Sequence, residues 1–151
     1  MFDDNDVATL NSLIETTIDS ADGYREAAEN ANDAQLQSTF QRMAMERGEV
    51  AQGLKAAVTS MGGTPDEDGT ILASAHRMFL DLRAKIAGRE DKAIVEEVER
   101  GEDHLKGKFE TAMREEGLKP ETRAAIETAY ESVRKGHDMM SETKHRMQAT
   151  A

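Results

Sequence analysis

Cysteine is absent from the 151-residue chain, which excludes disulfides, thiolate catalysis, cysteine-based zinc sites and iron–sulfur clusters. A transition-metal site would have to draw on carboxylates and the four histidines. Aromatic residues make up 4%, tryptophan is missing and there are only two prolines. With Ala, Glu, Met and Gln abundant, this composition favours helices over strands. No apolar run approaches the roughly 18 residues that span a bilayer. The opening MFDDNDV has neither a basic n-region nor an apolar h-region. The chain is therefore expected to be soluble and cytoplasmic. Basic charge is also in short supply: 19 Lys and Arg stand against 30 Asp and Glu, a net charge of −11. Such a field repels nucleic-acid phosphates and anionic membranes, so neither is expected as a partner. There is no phosphate-cradling glycine loop, nucleophile elbow or aromatic-interleaved basic patch. The acidic start lacks the glycine and closing glutamate of a calcium loop, and reads as an N-terminus that complements a helix dipole.

What the sequence does carry is a three- and four-residue apolar rhythm along most of its length, with no strand periodicity. The first helix is predicted over Asp6 to Asn30, with the stripe Val7, Leu10, Ile14, Thr17, Ala21, Tyr24 and Ala28. A polar link, residues 30–33, leads to a second helix from Ala34 to Met61, its seam Leu36, Phe40, Met43, Val50, Leu54, Ala57 and Met61. Gly62-Gly63-Thr64-Pro65 stops it, glycine supplying a C-cap and proline barring continuation. After an acidic loop, TPDEDG, a shorter helix is predicted from Thr70 to Ala87 on Leu72, Ala75, Phe79, Leu82 and Ile86. Another follows from Asp91 to about Glu116, carrying Ile94, Val98, Leu105, Phe109 and Ala112. Gly117-Leu118-Lys119-Pro120 turns into the last helix, which reaches about Met147 through Ile126, Tyr130, Val133, Met140 and Met147.

This pattern is one all-α domain over residues 1–151: two antiparallel hairpins joined by a helical crossover. A connection of 18 helical residues covers about 27 Å, the height of a bundle. Helices two and three of the bundle are then expected to run parallel, the ferritin-like arrangement; the competing topology is an up-down bundle with the short helix as a lid. Residues 1–33 hold nine acids and one base, whereas residues 132–151 hold four bases and two acids. Side-by-side placement of the first and last helices would relieve repulsion, each exposed pair adding little. The crossover shows Leu72, Phe79, Leu82 and Ile86 on one face and Ile71, Met78 and Leu80 elsewhere, more apolar surface than one bundle covers. A homodimer is expected on that ground.

The candidate site lies where polar residues interrupt the stripes. Glu46 is three residues after Met43 and four before Val50; Glu102 is four after Val98 and three before Leu105; His137 is four after Val133 and three before Met140. Reflecting the second hairpin about its turn brings Glu102 to about the level of Lys135, two residues from His137. Isolated buried carboxylates are costly and need a cation, hydrogen bonds or a metal. Glu46, Glu99, Glu102 and His137 are accordingly expected as a mid-bundle cluster and as the candidate metal ligands, with Arg47 and Arg100 as nearby counter-ions. Three readings stand for it: an ion-pair network that fixes helix register, a single metal site, and acid–base catalysis. Tyr24 and Tyr130 face inward, as packing residues or as hydrogen-bond donors to a buried carboxylate. His76 would hold the crossover helix, His104 would be exposed, and the methionines fill the core.

These residues also carry a resemblance. LNSLIETTIDSADGYREAAEN, MERGEVAQGL, MGGTP, ASAHRMFLDLRAKIAG, DKAIVEEVERGEDHLKGKFETAM and KGHD together resemble the uncharacterised bacterial family of ferritin-like four-helix-bundle proteins known as domain of unknown function 2383. Tyr24, Glu46, Gly62, Gly63, Pro65, His76, Arg77, Glu99, Gly101, Glu102 and His137 match it. The resemblance implies the fold and a bacterial stress setting, and no established activity. A ferritin-like di-iron centre takes one Glu from each of two helices and Glu-x-x-His from the other two. Here Glu46-x-x-Glu49 lacks the histidine, Arg134 stands three before His137, and Glu142–His145 lies off the seam near the terminus. The expected function is non-enzymatic, through oligomerisation or protein contacts; the alternative is a relative that binds iron, manganese or zinc at the mid-bundle cluster.

Overall fold

The computed structural model describes residues 4–65 and 80–149, and among these every regular element is a helix. Four long helices pack side by side: α1 (Asp4–Asn30), α2 (Ala34–Ser60), α3 (Asp91–Met113) and α4 (Pro120–Ala149). Residues 80–86 form a further helical segment before α3. α1 lies against α2 and α3, and α4 lies against α3 and α2. The predicted boundaries hold to within three residues at each described helix end. Gly62 and Gly117 both adopt positive φ, 82° and 85°, where the sequence calls for turns.

Two carboxylates clasp the ends and fix the directions. Asp91, in the first turn of α3, accepts hydrogen bonds from the backbone N–H of Asn32 and Asp33 at 2.7 and 2.9 Å. At the other end Asp6, in the first turn of α1, accepts from Lys119 N–H at 3.0 Å and Thr122 Oγ1 at 2.6 Å. Each hairpin's turn is thus held by the helix start of the other hairpin. α2 and α3 consequently begin at the same end and run in the same direction. Asp33 also caps α2, its carboxylate accepting from Leu36 N–H at 2.9 Å.

The core is divided in two. One cluster contains Tyr24, Phe40, Met43, Ile86, Ile94, Val98 and Met140; the other contains Leu10, Ile14, Leu54, Val58, Phe109, Ile126 and Val133. Between them lies a polar layer of Ser20, Arg47 and Glu102, with Gly136 against Arg47. The stripes of α1 and α3 bury as expected, except that Val7 is partly exposed. α2 departs from expectation below Met43: Arg47, Ala51 and Val58 are buried, while Val50, Ala57 and Met61 lie at the margin. The seam passes through Arg47, and the chain is rotated by one residue from an all-apolar stripe. On α4, Tyr130 and Met147 are likewise marginal, and Ala129 and Gly136 face inward.

In the crossover, Ile86 is fully buried, Leu82 packs against the Tyr24 cluster and Leu80 is 46% exposed. The expectations for Ile71, Leu72, Ala75, His76, Arg77, Met78 and Phe79, for the helix start at Thr70 and for the loop beyond Pro65 lie outside the described residues.

Candidate functional site

Arg47 organises the polar layer. Its side chain is wholly buried, its Nη2 donates to Glu102 Oε2 at 2.8 Å and its Nη1 to Ser20 Oγ at 3.0 Å. The guanidinium carbon stands 5.7 Å from the centre of the Tyr24 ring, a cation–π distance. The Tyr24 hydroxyl donates to Glu102 Oε1, so both oxygens of that carboxylate are taken. Burial, with the Glu102 charge next, raises the Tyr24 pKa well above the usual phenol value. Arg47, Glu102 and Tyr24 come from three helices, and the side chains of the Arg47–Glu102 pair are 0% and 1% exposed.

Such a layer is expensive unless completed, because each charge loses its hydration. Glycine at position 136 makes the room: a Cβ there would fall onto Arg47 Nη2 and within 2.7 Å of Met43 Cε. A cleft of about 320 Å³ reaches the layer between α1, residues 80–86 and α3, with Ser20, Tyr24, Glu102 and His104 on its wall. His104 is partly buried, and that burial, together with Lys108, holds its imidazole below the ordinary value.

The four residues expected as one cluster fall into three places. Glu102 is buried as expected, bound to Arg47 and Tyr24. Glu46 is exposed, since α2 turns Arg47 inward and so carries its neighbour out to solvent. Glu99 and His137 do meet, at the margin between α3 and α4 and not at mid-bundle. His137 is displaced from the inward row by Gly136; it bonds Asp103 and Asp138 instead of Glu102. Of the expected counter-ions, Arg47 serves Glu102, whereas Arg100 pairs on the surface with Glu97 at 2.6 Å. Tyr130 is partly exposed and donates to Glu110 at 3.0 Å.

The marginal group comprises Glu99, Asp103 and His137, one ligand atom of each lying within 4.8 Å of the others. His137 Nε2 is 2.6 Å from Asp103 Oδ1, and its Nδ1 is 3.3 Å from Asp138 Oδ1. Burial lowers the affinity of this imidazole for a proton, but the two carboxylate contacts outweigh it and raise the pKa. Lys144 Nζ reaches Glu99 Oε2 at 3.3 Å. The sequence reading missed Asp103, although its place four residues after Glu99 puts both on one helix face.

The family described as Domain of unknown function (DUF2383) matches residues 5–115. The chain belongs to that family. The DUF2383 match covers α1, α2 and α3 with the Tyr24–Arg47–Glu102 layer, and it ends before α4, which brings His137 and Gly136. No curated protein matches the chain.

Proposed function

We propose that this DUF2383 protein is a ferritin-like helical bundle with a non-enzymatic role, acting through self-association and protein contacts. The common direction of α2 and α3, with a crossover between them, supports the ferritin-like reading. The observation that carries the non-enzymatic role is Arg47. A dinuclear metal centre in such a bundle needs inward carboxylates converging on free space. Here the converging space holds a guanidinium, the buried carboxylate of α3, Glu102, is saturated by it and by Tyr24, Glu46 points to solvent, and the other buried glutamate, Glu15 on α1, lies five residues before Ser20. The donor set at mid-bundle does not fit a dinuclear centre. Self-association rests on the second apolar row of the crossover, of which Leu80 is 46% exposed.

Two measurements test this reading. Fe(II) added to the aerobic protein should oxidise no faster than in buffer, and light scattering at micromolar concentration should return twice the monomer mass. Accelerated, saturable Fe(II) oxidation would overturn the non-enzymatic role; a strictly monomeric protein would overturn self-association.

A further inference from the structure

We propose that Glu99, Asp103 and His137 form a mononuclear site for a divalent first-row transition cation, on the flank of the bundle between α3 and α4. Glu99 and Asp103 are one turn apart on α3 and offer two carboxylates along one face. His137 comes across from α4, and the three donor atoms already lie within 4.8 Å of one another. Oxygen and nitrogen ligands sit about 2.0–2.2 Å from zinc, so modest side-chain rotation brings all three onto one ion. Entry of the ion replaces the 2.6 Å His137–Asp103 contact with two bonds to metal. Two carboxylates and one imidazole suit Zn(II), Mn(II), Fe(II) or Co(II), and the exposed side leaves positions for water.

Two neighbours bear on this site. Asp138 faces Nδ1 of His137 at 3.3 Å, the place of the carboxylate that orients a metal-bound imidazole and leaves Nε2 for the ion. Lys144 holds Glu99 at 3.3 Å, an internal cation that a metal displaces. The site is independent of the central layer, whose carboxylate is committed to Arg47.

The test is titration of the metal-free 151-residue protein with Co(II), followed by visible absorption, and competition of the bound ion by Zn(II). One equivalent should bind. His137→Asn and Asp103→Asn should abolish it, Asp138→Asn should weaken it about tenfold, and Lys144→Met should tighten it several-fold by removing the competing ammonium. Glu102→Gln should leave the affinity unchanged. In the unsubstituted protein, substoichiometric Mn(II) should broaden the ring resonances of His137 before those of the other three histidines. Absence of binding at about millimolar Co(II), or broadening centred on another histidine, would show these groups to be an ion-pair cluster only and would overturn the proposal.

Discussion

Tyr24 is the residue through which the central layer can be watched. Its hydroxyl is buried against Glu102, and burial followed by that carboxylate's charge keeps the proton on. Above the ordinary value of 10.0 the unfolded chain loses this proton while the folded chain keeps it, so stability falls as the pH rises further. The chain has two tyrosines and no tryptophan, which makes tyrosinate absorbance easy to read. Tyr130 is expected to ionise while the fold persists, and Tyr24 only as it unfolds. Tyr24→Phe should leave a single step and remove the extra loss of stability at high pH. Ionisation of both tyrosines in one reversible step near pH 10, with helicity intact, would contradict the burial of this hydroxyl. At this scale Glu102 was legible, because Val98 and Leu105 bracket it on an otherwise apolar face. Arg47 was legible as a neighbour of the seam and a counter-ion, and not as the residue of the two that turns fully inward. A search for apolar spacing passes over a long aliphatic stem that ends in charge, and it chose Glu46 by extending the stripe to Val50.

Helices are where reading and structure agree most closely, since their ends are written in local chemistry. Asp33 caps α2, Gly62 turns the chain out of it, and Gly117 precedes the proline that opens α4. Less legible is why one helix approaches another closely at a given level. Gly136 occupies an inward position between Val133 and Met140 because Arg47 and Met43 fill the space its side chain would take. A glycine on an otherwise apolar row is the signal of a large neighbour across the interface. Gly136→Ala is expected to destabilise the protein by about 1–3 kcal/mol, the usual cost of overpacking. Gly48→Ala, with nothing within 4 Å of its new methyl, should instead stabilise α2 by roughly 0.5–1 kcal/mol. Urea unfolding of the two variants checks the pair, and equal effects would argue against the close approach at Gly136.

Across the whole molecule the architecture follows from where the chain must travel. Asp91 clasps the first hairpin's turn and Asp6 clasps the second's, so both turns and both helix starts lie at fixed ends. The length of the crossover made the common direction of α2 and α3 legible. The clasps were not, because a hydrogen bond between residues 113 positions apart leaves no periodic trace. Two apolar clusters then close the ends of the bundle, and a buried ion pair joins them in the middle. The central claim is that this middle is held by the chain's own cation. A double-mutant cycle in metal-free buffer tests it most directly, with urea unfolding of the parent, Arg47→Met, Glu102→Gln and the double variant. Arg47→Met should cost roughly 3–5 kcal/mol, because it strands a buried carboxylate. Adding Glu102→Gln, which keeps an acceptor for Tyr24, should restore most of that loss. Additive losses from the two substitutions, or an Arg47→Met protein as stable as the parent, would contradict it.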